Sequence, residues 1–146
     1  MKKIFYWVLG FAIAIQFIRP DFQNTTVDET IALKADAQVM SVLQKSCYDC
    51  HSQETKFPWY RNIAPVSWVM ADHINLGRKA LDFSNWGNMD PKIKSERLER
   101  AKQVIYNHRM PKQEYLIMHE NAVLTQEEKK VLEQFFDSEI EKLNTL

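Results

Sequence analysis

The chain has 146 residues, with 19 basic side chains balanced by 19 acidic ones, 3 glycines and 2 cysteines. The length favours one domain. The balanced charge excludes a basic nucleic-acid surface, and the scarcity of glycine and of alternating β-branched runs points to an all-α fold.

The first segment differs from the rest. Lys2 and Lys3 precede a 15-residue apolar run from Ile4 to Ile18, interrupted by Gln16 and closed by Arg19 and Pro20. As a helix it is about 22 Å long at ~1.5 Å per residue, short of a ~30 Å hydrocarbon core. Residues 1–19 read as a signal-anchor or signal peptide. Ala12-Ile13-Ala14 resembles a cleavage site, but a cut there leaves a greasy new terminus, which favours an uncleaved anchor. Tyr6, Trp7 and Arg19 can reach the interfaces. No cysteine follows the run, which excludes a lipoprotein anchor. By the positive-inside bias Lys2 and Lys3 stay cytoplasmic. That leaves the globular part in the periplasm or on the outer surface, anchored to the inner membrane. Its 16 basic and 19 acidic residues give a net charge of −3, too small for strong electrostatic steering.

Residues 20–27 read as a polar linker and residues 28–146 as the domain. The spacing of Ile31, Ala35, Val39, Val42 and Leu43 predicts a helix over Asp28 to Ser46. It leads into Cys47-Tyr48-Asp49-Cys50-His51, the C-x-x-C-H pattern of c-type haem attachment. Two thiols three residues apart lie on one side of a helical turn, where each can add to a porphyrin vinyl group. His51 then falls under the iron as proximal ligand. A thioredoxin-like reading needs a βαβ context that the flanking sequence lacks. A zinc reading needs four ligands, and adjacent Cys50 and His51 chelate poorly in a tetrahedron.

Residues 52–64 read as irregular, with Trp59 and Tyr60 as candidates to bond a haem propionate. Pro65 opens a second helix through Val66, Val69, Met70, His73, Ile74 and Leu76, with Gly77 thinning or ending it. Arg78 and Lys79 read as a solvated face, either able to pair with a propionate. Residues 81–89 read as a loop. Asp90-Pro91 caps a third helix with a buried stripe of Ile93, Leu98, Ala101, Val104, Ile105 and His108. Its mixed-charge face, which includes Arg97 and Arg100, reads as solvated.

Arg109-Met110-Pro111 follows. A thioether over haem iron needs a stiff loop, and Pro111 removes backbone freedom there. Met110 is therefore the candidate sixth ligand, with His73, His108 and His119 as the competing donors. Such His/Met ligation favours ferrous iron. Residues 115–121 form a short apolar piece. Thr125-Gln-Glu-Glu128 is a capping box, and it opens a last helix with Val131, Leu132, Phe135, Phe136, Ile140 and Leu143 on its apolar side. A single C-x-x-C-H implies one haem.

The haem motif, the Met-Pro loop and the capped final helix together resemble the c-type cytochromes. The chain more closely resembles a small haem-binding domain family of Bacteroidetes-like bacteria, from Gln16 onward. Gln16-Phe17-Ile18-Arg19-Pro20, the C-x-x-C-H stretch with Ser52, Pro58-Trp59-Tyr60, Ile63-Ala64-Pro65-Val66-Ser67-Trp68, Met110-Pro111 and Tyr115…His119 carry the likeness. The family's Met-Pro-Pro or Met-Pro-x is Met-Pro-Lys here. The resemblance implies a cytochrome c-like bundle of about four helices around one covalent haem c and its iron, plus the N-terminal hydrophobic helix. It also implies an exported domain near electron transfer. In a cytochrome c-like fold, Phe135 and Phe136 of the last helix meet the helix before the haem site. The leading expectation is an electron carrier with redox partner proteins rather than an enzyme. The alternatives are a peroxidase-like haem, or a gas- or redox-sensing one, with an open or histidine distal side.

Overall fold

A computed structural model describes residues 1–145, and among them the secondary structure is entirely helical. The helices are α1 (Lys2–Ala14), α2 (Ala37–Ser46), α3 (Tyr48–His51), α4 (Val66–Ala80), α5 (Pro91–Tyr106), α6 (Gln113–Leu116) and α7 (Gln126–Asn144). Short 3₁₀ turns occupy Ile15–Phe17, Trp59–Asn62, Phe83–Asn88 and Glu120–Ala122. After α1, four helices are ten residues or longer, as expected.

The long helices start where local chemistry dictates. Asp36 accepts from Val39 N, and Asp90 accepts from Lys92 N and Ile93 N. Thr125 and Glu128 form the reciprocal capping box that opens α7. The main core lies where α5 and α7 pair, with α2 packed across α7. Leu43, Leu98, Leu132 and Phe136 are at most 2% exposed there. Phe135 also packs at this core. A smaller cluster of Phe22, Ala71 and Ile74 sits under α4.

Several expected boundaries are corrected. The helix before the haem motif begins at Ala37, not Asp28. Leu33 N donates to Phe83 O, and Gly87 N donates to Ile31 O. Ile31 N and Ala32 N close a local turn on Asp28 O, while Ile31 O and Leu33 N are satisfied across the chain rather than along a helix. Gly87 permits this approach, since a Cβ there would stand 2.9 Å from Ile31 Cβ. The expected loop 81–89 contains the 3₁₀ turn Phe83–Asn88, which accepts one of these bonds at Phe83 O and donates the other from Gly87 N.

Residues 20–27, read as a linker, pack onto the domain: Phe22 is buried, and Asn24 bonds Thr55 in both directions. Arg78 is not a solvated cation. It donates to the Ser52 and Gln23 carbonyls, to Asn24 Oδ1 and to Thr55 Oγ1.

Helix α4 continues through Gly77 to Ala80, burying Ser67, Ala71, Ile74 and Gly77. Val66, Val69 and Leu76 are exposed. Helix α5 buries Leu98 but leaves Ile93 exposed, and His108, two residues beyond its end, is exposed as well. Every residue of α1 is exposed. No helix among the described residues is long and apolar enough to cross a membrane by itself.

Candidate functional site

The centre of the site is the single turn α3. Cys47 N closes α2 on Leu43 O, and Cys50 N and His51 N both donate to Cys47 O. Ser52 Oγ donates back to Tyr48 O and accepts from Glu54 N, which fixes the exit from the turn. Helix α4 lies directly against α3. A Cβ on Gly77 would fall 2.3 Å from Cys50 O, so this approach requires glycine.

His51 is oriented from behind. Its Nδ1 is 3.0 Å from the Leu81 carbonyl oxygen, which can only accept, so Nδ1 carries the hydrogen and Nε2 keeps its lone pair. Burial holds the imidazole below its ordinary pKa, against the raising effect of the Leu81 and Gly77 carbonyls. The ring is thus neutral at pH 7, the form that ligates iron.

Burial pushes the Cys47 thiol up to about 12 and the Cys50 thiol up to about 11, the neighbouring Cys50 and Asp49 adding to the respective shifts. A redox-active C-x-x-C lowers its attacking thiol, whereas burial acts here in the opposite direction.

Two cavities of about 270 and 220 Å³ flank the turn and share Ser46, Cys47, His51, Ala80, Met110 and Pro111 as walls. Leu81, Phe83, Val104, Leu124 and Phe136 make the larger one apolar. Ser46 Oγ, on the shared wall, is buried without a protein partner, leaving one hydrogen-bonding group to an occupant. Two thiols, an imidazole with free Nε2 and a soft thioether around an apolar slot form a donor set that suits a covalent haem. No cluster of three His, Cys, Asp or Glu suited to a bare metal ion occurs among the described residues.

The fold separates the four sixth-ligand candidates. Met110 lines both cavities with His51, and His73 lines the smaller one. His108 ends α5 in the left-handed region at φ 54°, is exposed and sits beside Lys129, outside both cavities. That turn, with Arg109 N and Met110 N both on Val104 O, redirects the chain from α5 into Met110-Pro111. His119 stacks on Tyr115 at 4.1 Å and lines neither cavity, facing an adjoining open cleft that shares Asp49, Cys50, His73 and Tyr115 with the smaller one. Trp59, a candidate propionate partner, is exposed and lines neither cavity, and Tyr60 faces only the adjoining cleft.

Three features escaped the sequence reading. Arg97 and Arg100, assigned to a solvated face, stand at the rim of the larger cavity. Their i, i+3 spacing was the available signal. Lys112 lines the smaller cavity. Tyr115 donates to Asp49 Oδ2 at 2.7 Å, tying α6 to the haem motif. Burial, then this bond, pushes the Tyr115 phenol well above its ordinary pKa, so it remains a donor.

Comparison with known proteins agrees with this site. The chain matches a family described as a haem-binding domain over residues 10–138. No curated protein and no solved structure matches it.

Proposed function

The chain belongs to the haem-binding domain family, and on that premise we propose that it is a membrane-anchored monohaem c-type electron carrier. In this reading residues 1–19 anchor it in the inner membrane, and the domain lies in the periplasm and meets redox partner proteins. The observation that carries the proposal is the shared cavity wall of Cys47, His51 and Met110, with His51 Nδ1 held on Leu81 O.

When bound, the haem supplies a one-electron iron couple. Cys47 and Cys50 hold the porphyrin edge by thioether bonds. His51 presents Nε2 in an orientation fixed by Leu81. Met110 gives a neutral, soft second donor that favours the reduced state. Leu81, Phe83, Leu124 and Phe136 exclude water, which limits solvent reorganisation around a change of charge. Arg97 and Arg100, at the rim of the larger cavity, would pair with the propionates.

The test begins with the mass of protein matured in a competent host, expected to include one covalent tetrapyrrole. Its absorption and spin-resonance spectra are then compared with those of Met110→Ala. The wild type is expected to be low-spin and six-coordinate with a methionine-to-iron charge-transfer band, and Met110→Ala to become high-spin. A second reading draws on His73, which lines the same smaller cavity as Met110. Loss of low-spin character in His73→Ala, with Met110→Ala unchanged, would establish histidine ligation instead.

A further inference from the structure

Asn62 to Ala71 contains no ionisable side chain. On this stretch Ile63, Val66 and Val69 are 42%, 47% and 50% exposed, and nearby Trp59 is 80% exposed. Exposed apolar side chains clustered in one short segment suit an interaction surface.

The end of the N-terminal apolar run is bonded to the same stretch. Gln16, the one polar residue of that run, uses both ends of its amide on Ala64: Nε2 donates to Ala64 O at 3.1 Å, and Oε1 accepts from Ala64 N at 2.9 Å. Trp68 Nε1 donates to Ile18 O at 2.8 Å. Phe17 and Ile18, between these bonds, are exposed, and so is Arg19 after them.

We propose that Phe17, Ile18, Trp59, Ile63, Val66 and Val69 form a surface that rests in the headgroup layer of the bilayer entered by α1, with Gln16 fixing the angle of the domain. The inference rests on the anchor reading above. Residues bonded to Gln16 and Ile18 lie at the level where the apolar run leaves the hydrocarbon, so the patch is held at the interface rather than swung on a tether. Its composition suits that depth, with an exposed tryptophan among branched aliphatics and a cation, Arg19, at headgroup level. The run is also short, at about 22 Å against a ~30 Å core, and apolar groups on the domain extend the greasy surface at its outer end. Gln16 meanwhile finds its partners in the domain, so its amide is not left unpaired beside lipid.

The test uses the full-length protein in vesicles of phosphatidylcholine and phosphatidylglycerol, with acyl chains brominated either near the headgroup or deep. Matched unbrominated vesicles cancel quenching by other groups. Trp7 reports entry of α1, read as the difference between wild type and Trp7→Phe. Trp59 is read as the difference between Trp7→Phe and Trp7→Phe/Trp59→Phe. Shallow bromines are expected to remove roughly half or more of the Trp59 emission, and deep ones less. Gln16→Ala is expected to abolish the Trp59 effect and leave that on Trp7. Quenching of Trp7 without Trp59 means that the patch faces water, a second copy or a partner protein; it overturns the proposal while the anchor stands. No quenching of Trp7 removes the anchor reading and this inference with it. Trp59 quenching that persists in Gln16→Ala overturns the role given to that side chain.

Discussion

The two sides of the haem slot are held together by different forces. On one side α5 and α7 pair along their length, with α2 across α7, and bury Leu43, Leu98, Leu132 and Phe136 almost completely. On the other side α3 and α4 bury a much smaller cluster around Phe22, Ala71 and Ile74. There the chain is pinned by side chains bonded to backbone: Arg78 to the Ser52 and Gln23 carbonyls, Gln16 to Ala64, and Trp68 to Ile18. Hydrophobic burial is non-directional and tolerates small shifts, whereas hydrogen bonds fix angle and register. The apolar side therefore supplies stability. The bonded side positions the turn that carries Cys47, Cys50 and His51.

That contrast breaks if the largest losses do not fall on the α5–α7 side. Leu132→Ala, at a fully buried position outside both cavities, is expected to cost roughly 2–5 kcal/mol in denaturant unfolding. The spectrum of the folded fraction should not change. Gly77→Ala should cost about 1–3 kcal/mol, because its Cβ meets Cys50 O and the helices must part. Unlike Leu132→Ala, it should also perturb the haem spectrum; an unaltered spectrum would show that the α3–α4 contact does not position the site.

Arg78→Ala sharpens the comparison. Its global cost should be about 1–2 kcal/mol, smaller than that of Leu132→Ala, but amide exchange over residues 20–27 and 52–56 should accelerate. A melting shift as large as that of Leu132→Ala would erase the distinction between the two sides.

The smallest effect concerns Lys45 and Glu128, 2.5 Å apart and partly exposed. Burial raises the Glu128 carboxyl, but Lys45 and Thr125 outweigh it and hold the group below its ordinary 4.5. A depressed carboxylate contributes stability above its unfolded value and loses it as pH falls through the folded one. Lys45→Met should therefore cost about 0–1 kcal/mol near neutrality. The difference from wild type should shrink as acid takes the pH below Glu128's folded value, measured by unfolding at a series of pH values.

Much of the bonded side was illegible in the sequence, and the reason is distance along the chain. Arg78 finds partners 23 to 55 residues away, and Gln16 and Trp68 find theirs 48 and 50 residues away. No periodicity encodes such pairs, so Arg78 read as solvated and residues 20–27 as a tether. Arg97 and Arg100 are exposed as read, but their place beside the cavity was hidden for a related reason. Helical spacing shows that they share a face with each other, but not that a cavity opens beneath that face.

By itself the sequence determined what is settled within a few residues. The caps at Asp90 and Thr125 satisfy backbone groups one turn away, and the Cys47–His51 spacing is a property of a single turn. The apolar side of α7 follows from its own repeat. Tertiary structure alone decided that Met110 and His73 reach the slot while His108 and His119 do not, and that Gly77 must lack a side chain. Each of these depends on which distant backbone arrives alongside, and that is fixed when the helices pack.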